Sequence, residues 1–239
     1  MKYKAFTLAE VLVTLGIIGV VAAMTLPSVI EKHREKAIVA SLKKTYSILN
    51  SAYLSAVAEY GTPDEWGLGA ATDPGASNNL ANKFLPYLKV TTVCEPHKGK
   101  PCMPKGKYSF HFDKSAELTI NDAGAWQKRA ILSDGTTLIF SSSSPDCSSY
   151  GMICGNIDVD VNGFKKPNEY GYDVFLFFVT KNGVIPRGHP LAKSPLTFRA
   201  NCGNQFQGTS CAGWVIYKEN MEYLRCDDLD WNGKTTCSK

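Results

Sequence analysis

The 239-residue sequence lacks the short motifs by which several large enzyme classes are recognised. It contains no G-x-S-x-G nucleophile turn, no H-E-x-x-H zinc motif and no G-x-x-x-x-G-K-[ST] phosphate loop. An S-x-x-K match at residues 41–44 lies on a helical pattern and has no companion motifs. We therefore predict that the protein is not an enzyme. Internal repeats and low-complexity tracts are also missing, which excludes a repeat architecture.

Zinc-ligand spacing is missing as well, although cysteine is abundant. The eight cysteines form no C-x-x-C pair, and the four histidines are scattered along the chain. Disulfide bonds therefore explain the cysteines better than metal ligation does, and they indicate an oxidising compartment such as a periplasm. Many pairings are open, and the simplest hypothesis joins sequence neighbours: Cys94 with Cys102, Cys147 with Cys154, Cys202 with Cys211, and Cys226 with Cys237.

A strong charge of either sign is also absent, since the net charge is only +4. That value does not by itself imply a nucleic-acid partner. One basic cluster follows Cys94 and comprises His97, Lys98, Lys100, Lys105 and Lys107. Few aromatic residues lie among these basic ones, and no predicted helix carries them into a DNA groove. We therefore interpret the cluster as a solvated loop rather than a DNA contact.

What the sequence does contain is a long apolar run, Phe6 to Ile30, behind a short basic leader. Residues 11–30 carry no charge, and this is about the length that crosses the roughly 30 Å core of a bilayer. Glu10 stands near the start of the run. A carboxylate at this position is costly in a membrane unless it has a partner, which marks it as functional.

These residues resemble the class III signal of type IV pilins and type II secretion pseudopilins. The resemblance rests on a basic leader, a small residue, Phe-Thr-Leu-x-Glu and an apolar run. It implies that a prepilin peptidase cuts between Ala5 and Phe6 and methylates the new amino group. Glu10 then takes the position of the family's assembly glutamate, and Pro27 that of its helix-kinking proline. Ala5 stands where the family usually has glycine.

Physical reasoning on Glu10 agrees with that resemblance. In a filament, the carboxylate would meet the amino terminus of the neighbouring subunit and fix the axial register between subunits. Two alternatives stay open. A secretory signal cut after Val21-Ala22-Ala23 would release a protein that starts at Met24. In the second alternative, the apolar helix stays uncleaved and anchors the protein in the membrane. In both alternatives the protein is an extracellular binding domain that does not polymerise.

The remaining pattern predicts an α+β fold. A second apolar stripe recurs at helical spacing over residues 31–60: Ile38, Leu42, Tyr46, Leu49, Tyr53, Val57 and Tyr60. We predict one long N-terminal helix whose first half is membrane-embedded and whose second half packs on an antiparallel sheet. A disulfide-stapled C-terminal region completes the head. The expected segments are a leader at 1–5, an assembly helix at 6–30, an amphipathic helix at 31–60 and a head at 61–239.

The head also contains a candidate calcium loop. Asp158, Asp160, Asn162 and Glu169 match the spacing D-x-D-x-N-G-x5-E, and Asp173 lies just beyond. Major pseudopilins similarly hold calcium in a loop near the C-terminal sheet. The alternative is a turn rich in Asp and Asn between strands, with Ile157 and Val159 pointing inward.

Together these features predict a structural subunit of a type II secretion pseudopilus or a type IV pilus-like filament. The expected partners are other pilin-like subunits, packed through the small residues Gly16, Gly19 and Ala23, together with prepilin peptidase. The expected location is the bacterial inner membrane, with a single pass and a periplasmic head, or an extracellular filament. A minor or tip subunit, including a competence-type DNA-binding pilin, is an alternative role within the same class.

Overall fold

The computed structural model describes residues 7–96, 102, 108–115, 117–118, 126–150, 152–193, 196–203 and 207–237. The chain divides into two compact units, Met1–Ala37 and Ile38–Lys239. The first unit contributes the apolar part of one long helix. The second contains the remainder of that helix and all the strands.

The described residues form four α-helices and nine strands. The α-helices are α1 (Leu8–Tyr60), α2 (Pro74–Phe84), α3 (Phe198–Asn201) and α4 (Ala212–Lys218). The strands are β1 (Val90–Cys94), β2 (Tyr108–Phe110), β3 (Glu117–Leu118), β4 (Lys128–Leu132), β5 (Thr137–Ser142), β6 (Ile153–Asp160), β7 (Glu169–Tyr170), β8 (Val174–Thr180) and β9 (Gly183–Pro186). Short 3-10 turns lie at Pro63–Glu65, Leu85–Tyr87 and Glu222–Leu224.

The strands form one mixed sheet in the order β1-β4-β5-β6-β8-β7-β2-β3, with β9 paired to β8. Most neighbours are antiparallel, but β2 pairs with β7 and β7 pairs with β8 in parallel. The predicted α+β layout is therefore confirmed, whereas a purely antiparallel sheet is not. The difference arises because β7 is a two-residue strand whose Tyr170 pairs with Val174 at the start of β8, across a tight turn at Gly171.

The second half of α1 lies against the central strands, as the apolar stripe predicts. Leu42 and Leu49 are fully buried, and the ring of Tyr46 stacks on Phe177 of β8 at 5.6 Å. Helix α2 covers the neighbouring part of this face, where Phe84 contacts Phe140 of β5. Because side chains alternate along a strand, every second residue of β5, β6 and β8 faces α1 and α2: Leu138, Phe140, Ile157, Val159, Phe175, Phe177 and Val179.

The opposite face of the sheet is polar in part and covered in part. Strands β2 and β7 place Tyr108, Phe110 and Tyr170 over it, where they form a small second core with Ile139 and Val174. This face also carries the aspartates of β6. The sheet thus has two different surfaces, and the polar one holds Asp158 and Asp160 of the candidate calcium loop.

Helix α2 begins earlier than the sequence pattern indicates. The segment 61–79 reads as a loop because it is rich in Gly, Asp and Asn, yet the helix starts at Pro74. Asp73 caps it by accepting hydrogen bonds from the backbone N–H groups of Gly75 and Ala76. An Asp-Pro pair is a helix-start signal, since proline needs no donor in the first turn.

The predicted disulfide-stapled C-terminal region is confirmed. The bonds join sequence neighbours: Cys94–Cys102, Cys147–Cys154, Cys202–Cys211 and Cys226–Cys237. In the same region, Phe198 stacks on Trp214 at 4.5 Å, and Trp231 packs beside Trp214 at 5.1 Å. This aromatic cluster joins the loop-rich C-terminal region to the main hydrophobic core.

Candidate functional site

The first candidate site is the apolar surface of α1. Among the described residues, α1 is the helix that is long and apolar enough to cross a membrane. Its large side chains are open to solvent, including Leu12 at 62%, Ile18 at 63% and Met24 at 76% exposure. Such a continuous exposed apolar surface requires a lipid or protein environment.

Glu10 lies at the beginning of this helix in a reciprocal cap with Thr7. The carboxylate Oε2 accepts hydrogen bonds from the Thr7 backbone N–H and hydroxyl, both at 2.8 Å. The Thr7 hydroxyl oxygen in turn accepts from the Glu10 backbone N–H at 3.2 Å. This capping box satisfies two free donors at the helix start and points the carboxylate toward the N-terminus. The predicted cleavage residues Ala5 and Phe6 lie outside the described residues.

Small residues open a groove along the same helix. A Cβ atom built at Gly16 or Gly19 meets no atom within 4 Å, so the backbone is accessible there to a neighbouring helix. Ala23 continues the row one turn further. The helix also runs through Pro27, which lacks the N–H that would pair with the carbonyl of Ala23.

The second candidate site is the predicted calcium loop, and its first two aspartates lie on a strand. Asp158 and Asp160 belong to β6, where they are paired with both β5 and β8. The hydroxyl of Tyr170 donates to Asp158 Oδ2 at 2.7 Å, and that of Tyr108 donates to Asp160 Oδ2 at 3.0 Å. Residues 158–160 thus have strand geometry instead of the EF-hand loop that their spacing resembles.

The other predicted ligands separate into two groups. Asp173 accepts hydrogen bonds from the Asn162 side chain at 2.9 Å and from the backbone N–H groups of Asn168 and Glu169 at 3.1 and 2.6 Å. The Glu169 carboxylate points elsewhere and contacts His111 at 2.7 Å and Lys114 at 2.5 Å. Asp160, Asn162 and Asp173 therefore lie together, whereas Asp158 and Glu169 use their carboxylates in other contacts.

Asn168 completes the group and was missed by the sequence reasoning. One terminal atom of its side-chain amide lies 2.9 Å from Gly163 O, 3.1 Å from Lys165 O and 3.3 Å from Asp160 Oδ2. With nitrogen at this position, the amide donates hydrogen bonds to these oxygens. These three oxygens therefore have a hydrogen-bond donor within the chain, the Asn168 amide. The signal available in the sequence was Pro167-Asn168, a turn pair between two acidic segments.

Burial dominates the electrostatics of this region. It raises the pKa of Asp158 to about 6, although the Tyr170 hydrogen bond and Arg187 oppose the shift. Burial and then the neighbouring Asp173 raise the pKa of Asp160 well above its usual range. The pKa of Asp173 is also raised by burial. Within the described part of the chain, no three or more His, Cys, Asp or Glu side chains form a group that would hold a metal ion. A cation here would depend on amide and backbone oxygens as well.

The predicted basic cluster cannot be placed, because His97, Lys98, Lys100, Lys105 and Lys107 lie outside the described residues. The sequence reasoning also gave no role to Arg187, which follows β9 directly. Its Nε donates to the Ser210 hydroxyl at 3.1 Å on the polar face of the sheet. Arg187 comes near Asp158 because β9 pairs with β8 in a hairpin and β8 pairs with β6. The second pairing is not visible in the local pattern.

Comparison with known proteins adds one match. Residues 1–26 match the family model of the prokaryotic N-terminal methylation motif. No curated protein and no solved structure matches the chain. The match covers the leader, Glu10 and most of the apolar run, and it agrees with the exposed apolar surface of α1 and with a membrane-anchored pilin. The first 26 residues therefore carry the prepilin-type signature of type IV pilins and pseudopilins.

Proposed function

We propose that this protein is a structural subunit of a type II secretion pseudopilus or a related type IV pilus-like filament. A prepilin peptidase removes residues 1–5, and the methylated Phe6 becomes the first residue. The methylation motif at residues 1–26 carries this proposal. The exposed apolar helix behind it supports the same conclusion, since it needs lipid before assembly and neighbouring helices afterwards.

Glu10 gives the filament its register in this proposal. In the single chain, its carboxylate is held by the Thr7 backbone and hydroxyl groups. Removal of the leader creates a positively charged amine one residue before Thr7. A neighbouring subunit that presents such an amine to Glu10 neutralises the charge in the membrane, where an unpaired carboxylate is costly. The exposed backbone at Gly16 and Gly19 allows the helices to approach closely.

We also propose that the head binds calcium, and this supports a secretion pseudopilin over a pilus subunit. Asp160, Asn162 and Asp173 supply side-chain oxygens, and Gly163, Lys165 and Asn168 complete the set. Asp160 and Asp173 accept hydrogen bonds from the backbone N–H and the side chain of Asn162, and this closeness of two carboxyls supports the proposal. So does Asn162 Oδ1, which is buried and has no hydrogen-bond partner within the described residues.

Two measurements test the filament proposal. The first is the intact mass and N-terminal sequence of the protein isolated from its native membrane without reductant. A methylated Phe6 start supports the proposal. A start at Met24 or an intact Met1 would instead make the chain a secreted or anchored binding domain.

The second measurement is in-cell cross-linking between subunits through a photo-reactive amino acid at Leu12. Glu10→Gln should abolish the cross-linked ladder while the head stays folded. Thr14→Val is the matched control, because the Thr14 hydroxyl bonds only carbonyls of its own helix. It should leave the ladder intact. A normal ladder in Glu10→Gln would contradict the role given to Glu10.

A further inference from the structure

Two adjoining cavities lie on the polar face of the sheet. Their volumes are about 240 and 260 Å³, and both are lined by Asp158, Leu176 and Arg187. Taken together, they have the size of a small-ligand site. All of the lining belongs to the unit that begins at Ile38, so the cleft is independent of the membrane helix.

The floor of this cleft is built by strand register. Asn156 of β6 is paired with Ser141 of β5 and with Phe178 of β8. The three side chains form one row across the sheet, and Asp158 with Leu176 forms the next row. Since these positions alternate with the buried core residues of the same strands, their side chains face the cleft. The floor therefore presents hydroxyl, amide and carboxylate groups beside an aromatic ring.

Arg187 forms one wall and is fixed in place by its backbone. Its N–H donates to Leu176 O at 2.9 Å, and its carbonyl accepts from Gly213 at 2.8 Å. The backbones of Gly213 and Gly188 pack closely, since a Cβ atom at Gly213 would lie only 2.5 Å from Gly188. The Arg187 Nε is bound by Ser210. Its terminal nitrogens make no further hydrogen bond to the described residues, so their N–H groups are available to a ligand in the cleft that Arg187 lines.

Tyr150 forms the rim and is held in an unusual conformation. Its φ angle is +46°, in the left-handed region that bulky residues avoid, and 68% of the residue is exposed. The loop that carries it is closed by the Cys147–Cys154 disulfide and by a bridge between Ser149 and Ile153. Strain held in place by a cross-linked loop is typical of functional sites. Here it places an exposed aromatic ring beside the polar floor.

The chemistry of the lining selects the ligand class. One guanidinium and one carboxylate balance each other, and the remaining polar groups are neutral hydroxyls and amides. A neutral ligand with many hydroxyl groups can satisfy such donors and acceptors and can place an apolar face on the aromatic rings. We propose that this cleft binds a saccharide, with Arg187, Asp158 and Asn156 bonding its hydroxyls and Tyr150 packing on the ring.

Saturation-transfer NMR and calorimetry on the full-length protein test this proposal. The protein is kept in an amine-oxide detergent, because glycoside detergents would compete. The probes are glucose, galactose, mannose and N-acetylglucosamine, with sodium acetate as the anionic probe. Tyr150→Ala and Asn156→Ala should each weaken binding about fivefold or more, the effect of losing one ring or hydrogen-bond contact. Phe164→Ala removes an exposed aromatic residue outside the cleft and should leave binding unchanged.

Saturable binding of at least one sugar that both cleft variants weaken is the expected result. The proposal is overturned if no sugar binds saturably, or if the cleft variants bind as the wild type does. Binding of acetate without any sugar would likewise overturn it, because the cleft would then be an anion site. Arg187→Gln separates these cases: it should abolish acetate binding at an anion site and only weaken sugar binding at a saccharide site.

Discussion

The hydroxyl of Tyr108 donates a hydrogen bond to Asp160 Oδ2 at 3.0 Å and thereby fastens β2 over the polar end of β6. The same arrangement recurs one step along the strand, where Tyr170 of β7 bonds Asp158. Two phenol groups, from β2 and β7, thus donate hydrogen bonds to two buried carboxyls of β6. Without them, the aspartates would lie buried with fewer donors, which is costly.

Loss of one of these hydroxyls should destabilise the head. Tyr108→Phe leaves Asp160 Oδ2 without its phenol donor, and we expect a loss of about 1–3 kcal/mol in the free energy of unfolding. Tyr87→Phe is the control, because that hydroxyl bonds the exposed Glu59 and water can replace it. Urea unfolding followed by near-UV circular dichroism measures both variants. Equal losses in the free energy of unfolding would show that the buried Tyr108–Asp160 bond stabilises the head no more than the exposed Tyr87–Glu59 bond does.

Stability should also depend on pH through the buried carboxyls. The pKa of Asp158 is raised to about 6 in the folded protein, so the folded state holds a proton that the unfolded state releases above about pH 4. The stabilisation is therefore complete at low pH and is lost as pH rises through about 6. Its size is on the order of 3 kcal/mol at about 1.4 kcal/mol per pKa unit.

Melting temperatures of the wild type and of Asp158→Asn between pH 4.5 and 7.5 measure this effect, a range chosen about the pKa of 6. Asparagine keeps the acceptor for Tyr170 but does not titrate. The wild type should lose stability as pH rises, and the variant should show a flatter profile. Parallel profiles would exclude Asp158 as the group responsible.

Calcium should raise the melting temperature of the wild-type protein, because a ligand that binds only the folded state stabilises it by mass action. Asp160→Ala and Asn168→Ala should each abolish the shift. Glu169→Ala is the informative comparison, since its carboxylate contacts His111 and Lys114 instead. It should preserve the shift. A wild-type protein whose melting temperature does not respond to calcium would remove the proposed site.

The disulfides should contribute unequally. Replacing Cys202 and Cys211 by serine should cost about 2–4 kcal/mol, in the range usual for a native bond. This bond lies at the start of α4, and both of its sulfur-bearing residues are buried. The half-exposed pair Cys226 and Cys237 should cost less. The near-UV signal of the Phe198–Trp214 cluster and chemical denaturation report the difference, and a reversed order would contradict it.

A bulky residue in the helix groove should block assembly without unfolding the head. Gly19→Leu fills the open space beside the backbone, where a Cβ meets nothing within 4 Å apart from the adjoining residues and backbone of its own helix. The steric cost then falls only on a neighbouring helix. Val20→Leu is the control at the adjacent position. Filament formation and head melting temperature are measured for both, and normal filaments in Gly19→Leu would place the subunit contact elsewhere.

Features set by local pattern could be predicted from the sequence. The apolar stripe that includes Leu42 and Leu49 predicted the buried face of α1, because helical periodicity reports burial directly. The apolar run VFLFFVT at residues 174–180 is typical of a buried strand, and β8 has these bounds. Asp134-Gly135 and Asn182-Gly183 are residue pairs typical of hairpin turns, and they follow the ends of β4 and β8.

Features set by long-range pairing could not be predicted in the same way. The acidic spacing at Asp158 and Asp160 favoured a metal loop, although the alternating Ile157 and Val159 already fitted a strand. Their burial depends on the next strand, β7, and on β2, whose Tyr108 lies 52 positions before Asp160. The cleft at Arg187 needs the registers of β6, β8 and β9 together. Such a site exists only in the tertiary structure.

The short span of every disulfide has a consequence for biogenesis. The paired cysteines are separated by only 7 to 11 positions in sequence. As the chain emerges from a translocation channel, each cysteine therefore meets its partner before the next pair appears, because closing so short a loop is fast and entropically cheap. Oxidation can thus follow the order of emergence, and the native connectivity is reached with little need for a disulfide isomerase.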